Sequence, residues 1–369
     1  MKKTNNGTLN ILFVSEYFYP RLAGAEVWSW ELCTFLAKKG HRVTVITSRI
    51  GDHPAQEQSN GITILRPVRS GTGRARRTIA AAWLARYVAN YLNHHQPDIV
   101  HVVAYALNVA VSKAAAKKGI PCVTAVHSYF GENWKKIADP ISARLLSTLE
   151  QSSIVQDKSI IMHCPSQYTQ RLIHSDTTKS VKVIHNWIPD VETLGKKVQD
   201  KELRKLLQGS YLFVGSLEPV KRPLECIAIC KKAKVPLVII GTGTLEESIR
   251  DAAARQDVRV IMLGNLPRQQ TISCIATAKL VLVPSVTESF SLVAVEAIAQ
   301  QVPVAGNPVG IISELPGVVS LGVKKIPKIS ASQAHEVRER FDKETIISQI
   351  LELYKDVKTN KMVNKPTKR

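Results

Sequence analysis

The stretch Glu288-Ser-Phe-Ser-Leu-Val-Ala-Val-Glu296 is the most informative part of this chain, because it places two carboxylates eight positions apart. It follows the continuous apolar run Leu280–Val283 and Pro284. Such a run predicts a buried strand, which should stop near Pro284 because proline cannot donate to a strand ladder. A helix should then begin near Ser291. Glu288 falls in the strand-to-helix loop and Glu296 one turn inside the helix, which is typical of an α/β sheet.

That loop is a candidate ligand site. In an open α/β sheet, ligands bind at the carboxyl ends of the strands, and free backbone N–H groups at a helix start favour an anion such as phosphate. A carboxylate such as Glu288 can also accept hydrogen bonds from sugar hydroxyls. The combination predicts a binding site for a phosphorylated sugar or a nucleotide. The alternative is that Glu288 neighbours an ordinary helix N-cap and that Glu296 is a solvated helix residue.

The N-terminal half alternates strand and helix patterns. Leu9–Val14 is a continuous apolar run, the helical pattern Gly24–Lys39 ends at Gly40, and Arg42–Thr47 is rich in β-branched residues. Further strands are predicted at Ile62–Arg66, Ile99–Val103, Cys122–Val126, Ile160–Cys164 and Val181–Ile184, and further helices over 79–93, 106–118, 140–150 and 166–175. This alternation predicts a parallel sheet that is covered on both faces.

A polar, lysine-rich stretch over residues 195–208 interrupts the alternation, which then restarts. The second series consists of strands over 211–215, 237–241, 258–263 and 280–284, with helices from Pro223, from Leu245 and over 267–278. Two doubly wound units of similar size predict two Rossmann-like domains that face each other across a deep cleft. We place the N-terminal domain at residues 1–190, the C-terminal domain at 191–345, and a C-terminal helix with a basic tail at 346–369.

Size and composition limit the class of protein. With 369 residues, of which 44% are apolar, the chain can form two globular domains. No apolar stretch reaches the roughly 18 residues that a membrane-spanning helix needs, and Leu9–Val14 is too short for a signal peptide. The six cysteines form no C-x-x-C pair, which argues against a zinc or redox motif. We therefore expect a cytoplasmic protein with reduced cysteines.

The net charge of +20 predicts an anionic partner. Six arginines and no acidic residue lie between Arg66 and Gln96. Within this span, a helix over Ile79–Leu92 would place four side chains near one face: Trp83, Tyr87, Val88 and Tyr91. A basic segment ahead of such a helix is typical of adsorption to an anionic bilayer, here the inner face of the plasma membrane. The alternative is that the helix packs into its own domain and the arginines are solvated.

The opening stretch continues into Ala297-Ile-Ala299, Pro303-Val304, Gly310 and Glu314. Together with the two acids, these residues resemble the E-x7-E signature of the retaining glycosyltransferases of family 4, which have the GT-B fold of two facing Rossmann-like domains. The likeness covers most of residues 9–345. It implies an enzyme that moves a hexosyl unit from a nucleotide-diphosphate sugar to a hydroxyl acceptor with retention of the anomeric configuration.

The resemblance assigns the donor to the C-terminal domain. It implies that Glu296 accepts hydrogen bonds from the ribose hydroxyls and that Glu288 binds hydroxyls of the transferred sugar. Donor contacts from the loop that follows Glu288 are implied at four residues: Ser289, Phe290, Ser291 and Leu292. The catalytic residues implied by the resemblance are Glu288, Lys221 and His127.

Gly215-Ser-Leu217, followed after three residues by Lys221, is similar to the family's G-R-L-x-x-x-K element. In the family, an arginine and a lysine neutralise the departing diphosphate. Lys221 occupies the lysine position, but Ser216 stands where arginine is usual, and a hydroxyl does not replace a planar bidentate donor. The neighbouring Arg222 is the candidate to compensate for the missing arginine.

Two glycine-containing turns also resemble the family. Gly241-Thr-Gly243 is similar to its G-x-G element, where small residues let the backbone approach a phosphate or nucleoside closely. A tight strand-to-helix turn would use the same residues. The loop from Pro20 to Glu26 is similar to the family's G-G-x-E loop, with Ala23 in place of the first glycine and Gly24 as the second. It lacks the G-x-G-x-x-G fingerprint, which argues against a nicotinamide dehydrogenase.

His127 follows the strand predicted at Cys122–Val126. By resemblance it matches a histidine that lies in the cleft beside the donor sugar. The alternative is a satisfied surface histidine without a role in the reaction. Trp187 replaces a residue that is usually glycine in the family, and the sequence offers no reason for this departure.

The sequence has no D-x-D element in a suitable loop. We therefore expect transfer without a metal or other cofactor. Lys221 and the helix N-termini would neutralise the diphosphate charge in place of a metal ion. The expected partners are a nucleotide sugar, a hydroxyl acceptor from lipid-linked saccharide, surface polysaccharide or glycolipid synthesis, and an anionic membrane surface, but no specific nucleic acid. Two alternatives stay open: a nucleotide-sugar epimerase or phosphorylase of the same shape, and a basic nucleic-acid-binding protein, which would not need the strand-end glycines and carboxylates.

Overall fold

The computed structural model describes residues 7–20, 24–71, 74–103, 107–154, 160–174, 181–189, 194–322 and 325–363. These residues form two α/β units, each built on a mainly parallel sheet with helices on both faces. The predicted fold class, two Rossmann-like units that face each other, is therefore confirmed.

The first sheet contains eight strands. They are β1 (Asn10–Ser15), β2 (Arg42–Arg49), β3 (Gln56–Ser59), β4 (Ile62–Arg69), β5 (Ile99–Val103), β6 (Cys122–Ala125), β7 (Ile161–Cys164) and β8 (Val181–Val183). Their order is β3-β4-β2-β1-β5-β6-β7-β8. The chain order reverses between β1 and β5, so the carboxyl ends of these central strands form the kind of switch point at which ligands bind.

The edge strand β3 is missing from the sequence prediction. Its residues, Gln-Glu-Gln-Ser, contain no apolar run, and it is antiparallel to β4, whereas the other pairs in this sheet are parallel. An edge strand needs a partner on one side only, so hydrophobic periodicity gives no sign of it.

Among the described residues, five helices connect strands of the first sheet and cover it: α1 (Gly24–Lys38), α2 (Arg74–His94), α3 (Asn108–Lys117), α4 (Pro140–Ser152) and α5 (Gln167–His174). The buried strand β1 shows why both faces are covered. Ile11 and Phe13 pack in one cluster with Leu36 of α1, whereas Leu12 packs in another with Leu84 of α2. Alternate side chains of a strand point to opposite faces, so a continuous apolar run requires a core on each side.

The second sheet has six parallel strands. They are β9 (Tyr211–Val214), β10 (Leu237–Ile240), β11 (Val260–Met262), β12 (Leu280–Val283), β13 (Val304–Gly306) and β14 (Val318–Val319), in the order β11-β10-β9-β12-β13-β14. Six helices accompany them: α6 (Lys201–Gly209), α7 (Pro223–Ala233), α8 (Glu246–Gln256), α9 (Arg268–Thr277), α10 (Leu292–Ala299) and α11 (Ala331–Arg340). Helix α6 occupies part of the stretch 195–208 that the sequence presents as an interruption.

The last helix, α12 (Lys343–Val363), returns to the first unit. Ile346, Ile350 and Tyr354 join the same core cluster as α1. The Tyr354 hydroxyl lies 2.6 Å from His101 Nδ1 at the centre of the first sheet. The end of the chain therefore ties the two units together, and residues 364–369 of the basic tail lie outside the described residues.

Helix α2 has two apolar faces. Leu84 and Val88 are buried in the first unit, whereas Ile79, Trp83 and Tyr87 are exposed, the first two at 59% and 58%. The prediction that Val88 shares a face with Trp83 and Tyr87 is wrong, because Val88 lies one position further round the helix and points into the core.

A second exposed apolar stripe lies on α4, at Ile141, Leu145 and Leu149. Both this stripe and the one on α2 repeat every four residues, so each follows one side of its helix. In the described part of the chain, no helix is long and apolar enough to cross a membrane.

Candidate active site

The cleft between the two units holds a pocket of ≈ 560 Å³, here called the cleft pocket. The first unit contributes the start of α1 at Gly24 and the residues that follow β6 from His127 to Phe130. The second unit contributes Gly215 and Ser216 after β9, and the segment that leads from β12 into α10. Both sheets present their carboxyl ends to the cleft pocket, where parallel α/β sheets bind ligands.

Glu288 and Lys221 form a charged pair in the wall of the cleft pocket. Lys221 Nζ donates to Glu288 Oε1 at 2.7 Å, and the Ser285 hydroxyl donates to the same oxygen at 2.7 Å. The two charged residues come from the loops that follow β9 and β12, which are neighbouring strands. This adjacency brings together residues that lie 67 positions apart in the sequence.

The start of α10 faces the same pocket. Ser291 is its N-cap and has a φ of +87°, and Ser291, Leu292 and Val293 line the cleft pocket. The first-turn N–H groups of a helix have no intrahelical acceptor and favour a bound anion. The arrangement therefore offers a cation, a carboxylate and a helix N-terminus within one concave site.

Gly310 supports the loop that precedes α10. Its φ is +59°, and a Cβ at this position would lie 2.6 Å from the Phe290 carbonyl oxygen. The Ile311 N–H donates to that same oxygen at 2.8 Å. Glycine is thus needed both for the left-handed backbone conformation and for the close approach, which gives a structural reason for the Gly310 of the sequence signature.

The first unit binds this loop directly. The Ser166 hydroxyl donates to the Ser289 carbonyl oxygen at 2.7 Å, and the Thr169 hydroxyl donates to it at 3.0 Å. Both hydroxyl-bearing residues are fully buried at the start of α5. The backbone beside Glu288 is therefore held by hydrogen bonds that cross the interface between the units. Sequence reasoning missed these contacts, because they join residues about 120 positions apart.

Glu314 makes a second contact between the units. It accepts hydrogen bonds from Arg340 at 2.7 Å and from the Gln167 N–H at 3.1 Å. Arg340 also lies 3.2 Å from Nε2 of His185, whose Nδ1 lies 2.9 Å from the Pro165 carbonyl oxygen. Burial is the main cause that lowers the pKa of His185. A neutral His185 that donates from Nδ1 and accepts at Nε2 satisfies both neighbours.

Glu296 does not line the cleft pocket among the described residues. It is 1% exposed, and Arg268 at the start of α9 donates to it at 2.5 Å. Burial raises the pKa of this carboxyl, against the opposing effect of the Arg268 charge. Glu296 lies three and four residues beyond Val293 and Leu292, so it stands on the same side of α10 as these two pocket residues.

Three other predicted donor residues also lie outside the cleft pocket lining. Arg222 has a φ of +49° and donates to Glu225 at 2.9 Å in the first turn of α7. Gly241 and Gly243 approach a neighbouring loop. A Cβ at Gly241 would lie 1.9 Å from the Gly215 carbonyl oxygen, and one at Gly243 would lie 2.6 Å from the Leu217 nitrogen. These glycines thus pack two strand-end loops together. Residues 21–23 of the loop before Gly24, including Ala23, lie outside the described residues.

His127 lines the cleft pocket from the first unit. Its ring centroid lies 4.3 Å from that of Trp28, which stacks on Trp187 at 5.3 Å. The Trp187 indole N–H donates to Glu31 at 2.5 Å, so an aromatic layer supports the histidine and gives Trp187 a structural role. Nε2 of His127 is buried and has no hydrogen-bond partner among the described protein groups. Burial lowers the pKa of His127 to about 4.

Two more buried histidines lie behind His127. Nε2 of His101 is 3.3 Å from Nε2 of His163, and the His163 ring meets the His127 ring edge-on at 6.4 Å. Burial lowers the pKa of His163 to about 3 and places that of His101 well below its usual value. All three imidazoles are therefore neutral at neutral pH, because desolvation disfavours their charged forms.

Glu150, a buried residue of α4, shapes the wall of the cleft pocket from behind. Its carboxylate accepts from the Phe130 N–H at 2.9 Å, the Gly131 N–H at 2.6 Å and the Trp134 indole N–H at 3.1 Å. The bonds to backbone fix the segment after β6 that carries Phe130 into the pocket. Sequence reasoning missed Glu150, since it resembles an ordinary acidic residue at the end of a helix.

A second depression of ≈ 560 Å³ lies on the second unit, with Gln208, Lys279 and Val302 in its lining. These residues precede β9, β12 and β13, so the depression is at the amino ends of the strands, where α/β sheets do not usually bind ligands. No group of three or more potential metal-ligating side chains occurs within the described ranges. The cleft pocket is therefore the candidate active site.

Comparisons with known proteins agree with this geometry. The family model described as Glycosyltransferase Family 4 matches residues 22–191, and the one described as Glycosyl transferases group 1 matches residues 196–362. Together the two matches span most of the chain and meet between the two sheets.

Curated relatives are similar over most of their length. A D-inositol 3-phosphate glycosyltransferase of Mycobacteroides abscessus is 24% identical over 309 residues, 78% of this chain and 70% of the relative. An N-acetyl-alpha-D-glucosaminyl L-malate synthase of Bacillus anthracis is 25% identical over 380 residues, 92% of this chain and 95% of the relative.

Solved structures share the fold at low sequence identity. Sucrose-phosphate synthase from Thermosynechococcus elongatus superposes with a TM-score of 0.77 at 14% identity, covering 95% of this chain and all of that chain. The Anabaena protein HepE, solved in complex with UDP and glucose, has a TM-score of 0.69 at 18% identity and covers 94% of this chain and all of its own.

Proposed function

Since this chain belongs to the group 1 glycosyltransferases of family 4, we propose that this transferase moves a hexosyl unit from a nucleotide-diphosphate sugar to a hydroxyl acceptor with retention of the anomeric configuration. One observation carries the proposal. The Lys221–Glu288 pair stands beside the N-terminus of α10 in a pocket that both units line. A cation and free amides suit a diphosphate, and a carboxylate suits sugar hydroxyls.

In this proposal the diphosphate lies between Lys221 and the first-turn N–H groups of α10. Glu288 accepts hydrogen bonds from hydroxyls of the transferred sugar while its Oε1 holds the Lys221 ammonium in place at 2.7 Å. Glu296 lies on the same side of α10 as Leu292 and is paired with Arg268 of α9. In this proposal the nucleoside binds next to this pair, and the Glu296 carboxylate turns from Arg268 to accept hydrogen bonds from the ribose hydroxyls. The backbone at Gly24 and Gly215 completes the wall around the phosphates.

The reaction needs no metal or other cofactor in this proposal. The acceptor oxygen forms a bond to the anomeric carbon on the face from which the diphosphate oxygen departs, and the hydroxyl proton passes to that diphosphate oxygen. Lys221 stabilises the charge that grows on the leaving group, which is the kind of electrostatic effect that usually contributes most. His127 is neutral, so it orients the sugar or acceptor through a hydrogen bond at Nε2. The bonds to Ser289 from the first unit hold the units together and limit access of water.

A thermal-shift panel of nucleoside diphosphates and nucleotide sugars tests the donor. A nucleotide sugar present at 100 times its dissociation constant should stabilise the folded protein by about 2.7 kcal/mol, and one base should stand out from the others. Failure of every nucleotide and nucleotide sugar to raise the melting temperature would refute the proposal. Conversion of the donor sugar to its epimer without an acceptor would favour the epimerase alternative instead.

We further propose that the acceptor belongs to lipid-linked saccharide, polysaccharide or glycolipid synthesis, and that the protein works at the cytoplasmic face of a membrane. The support is α2, where the exposed side chains of Ile79, Trp83 and Tyr87 run along one side and the exposed Arg76 and Arg77 lie in the first turn. Apolar side chains enter the headgroup region while arginines meet anionic lipids.

Co-sedimentation with vesicles that contain anionic phosphatidylserine or phosphatidylglycerol tests this surface. The double variant Arg76→Gln/Arg77→Gln should pellet at least fivefold less than wild type, since each basic residue near such a surface contributes about 1 kcal/mol. Lys231→Gln/Lys232→Gln on α7 is the matched control, because it removes the same charge from exposed positions of the second unit. Equal pelleting of the two double variants would count against α2 as the membrane surface.

A further inference from the structure

Asn186 follows β8 and lines the cleft pocket from the first unit. Its side-chain oxygen, Oδ1, is buried and has no hydrogen-bond partner among the described protein groups. Buried polar atoms are nearly always paired, because leaving them unpaired is unfavourable. A side-chain amide carries one accepting oxygen and two donating N–H groups close together. Whichever way the amide is turned, it therefore suits a ligand with two adjacent hydroxyl groups, each of which can donate and accept.

The residues on either side hold Asn186 in place. The Trp187 side chain is 5% exposed, belongs to the aromatic layer behind His127 and donates to Glu31 at 2.5 Å. On the other side, His185 Nδ1 lies 2.9 Å from a backbone carbonyl oxygen of the segment that follows β7. A group that is fixed before its ligand arrives loses little entropy on binding. Tryptophan at position 187, where glycine is usual in the family, thus anchors the backbone of the preceding asparagine.

Asn186 lies close to the loop of the second unit that carries Glu288. The ring of His185, the residue before Asn186, lies 6.1 Å from the ring of Phe290. The strand next to β8 is β7, and the residues after β7 provide the hydrogen bonds to the Ser289 carbonyl oxygen. In the proposed transfer, Glu288 binds hydroxyls of the transferred sugar. A neutral amide that lines the same pocket from the facing unit therefore meets that sugar from the other side.

We propose that Asn186 is a specificity residue for the donor sugar, and that its amide binds two adjacent hydroxyls of the sugar on the side opposite Glu288. The inference rests on the transferase function proposed above. The sugar then has a partner in each unit, whereas the diphosphate and the nucleoside are bound mainly by the second unit. An epimer that turns one of the two hydroxyls away leaves a polar group of the amide unpaired, so Asn186 disfavours that epimer.

Calorimetry tests this assignment without an acceptor. The ligands are the nucleotide sugar that gives the largest thermal shift and the matching nucleoside diphosphate. In Asn186→Leu, the dissociation constant of the nucleotide sugar should rise about tenfold or more. That of the nucleoside diphosphate should stay within about twofold, because in the proposal only the sugar contacts the amide. Equal weakening of both ligands, or of neither, overturns the proposal.

Two further variants accompany this measurement. Asn186→Ser takes the place of Asn186→Leu if the larger side chain disturbs folding, since a shorter hydroxyl cannot pair with two sugar hydroxyls at once. Asn93→Leu is the matched control, because it makes the same replacement at an exposed position of α2. A loss of nucleotide-sugar affinity in this control as large as that in Asn186→Leu contradicts a direct contact.

Monodeoxy forms of the donor sugar identify the hydroxyls that the amide binds. In the wild type, removal of such a hydroxyl should weaken binding several-fold to about tenfold. In Asn186→Leu the same removal should have little further effect, because the partner is already missing and the two losses are not additive. If every monodeoxy form loses as much affinity in the variant as in the wild type, Asn186 does not contact the sugar.

The wild type separates the two possible failures. If it binds the nucleotide sugar and the Asn186 variants bind it equally well, only the assignment of Asn186 fails. If the wild type binds no nucleotide sugar, the proposed transfer itself fails.

Discussion

The carbonyl oxygen of Ser289, next to Glu288 in the cleft pocket, accepts two hydrogen bonds from the first unit. Removing these hydrogen bonds tests whether the contact between the units affects catalysis. Ser166 and Thr169 of the first unit donate to the Ser289 oxygen at 2.7 and 3.0 Å. The residue before it, Glu288, pairs with Lys221 in the cleft pocket. Removing both hydroxyls in the double variant Ser166→Ala/Thr169→Val should loosen the closed arrangement of the units.

The size of the effect follows from the two hydrogen bonds. A neutral hydrogen bond contributes about 1 kcal/mol to stability, so the pair contributes roughly 2 kcal/mol to the closed arrangement, a factor of about 30 in its equilibrium constant. Each single variant should lose less than half of this, because the Ser289 carbonyl keeps the other hydroxyl as its partner. The proposed donor contacts at Lys221 and Glu288 belong to the second unit and stay intact.

Steady-state kinetics and calorimetry together measure this effect. In the double variant we expect kcat to fall 10- to 30-fold, an estimate from the same bond energies, while the donor dissociation constant changes less than about threefold. Thr277→Val is the matched control, since this buried threonine hydroxyl makes bonds within the second unit only, at 2.7 Å to Ser273 and 3.1 Å to Val198. A kcat in the double variant no lower than that of the control would refute a coupling between the interface and the site.

Three further predictions test the site and its surroundings. Lys221→Ala should reduce kcat by about 10²- to 10³-fold, because its charge acts on the leaving group in the transition state; a change confined to the donor KM in steady-state kinetics would contradict this role. Glu296→Ala should weaken donor binding by about 1–3 kcal/mol, and calorimetry that shows unchanged affinity would remove its proposed ribose contact. The folded protein should lose stability between pH 7 and pH 5, because the unfolded chain takes up protons near pH 6.5 that His127 and His163, with pKa values of about 4 and about 3, do not accept. Each histidine lowers the free energy of unfolding by roughly 2 kcal/mol at pH 5. A denaturant midpoint that is the same at both pH values would argue against buried neutral imidazoles.

Much of the fold follows from local sequence, because buried parallel strands are continuous apolar runs. The runs at Leu9–Val14 and Leu280–Val283 predicted β1 and β12 within one residue at each end. The missed elements are polar or short. The edge strand β3 and helix α6 are polar and expose half or more of their residues to solvent, and β13 and β14 contain only three and two residues.

The candidate site was predictable where one loop carries its residues. Glu288 to Leu292 are consecutive, and the structure places all of them in the cleft pocket lining. The partners of these residues were not predictable, because a contact such as Thr169 to Ser289 depends on how the two units meet. Glu296 belongs to the same signature yet lies behind the pocket, and no sequence pattern indicates Arg268 as its ion-pair partner.

Because Ser216 stands where arginine is usual in the family, the proposed diphosphate site has one positive charge fewer. Arg222, the candidate replacement, donates to Glu225 instead and lies outside the described cleft pocket lining. Lys221 is then the one lysine or arginine in that described lining, and its charge is shared with Glu288 at 2.7 Å. A diphosphate must therefore draw more of its stabilisation from backbone N–H groups at the start of α10, which cannot titrate or move away. In the proposed transfer, Glu288 holds the Lys221 ammonium beside the phosphates while it binds the sugar hydroxyls, so the pair couples recognition of the sugar to charge stabilisation on the leaving group.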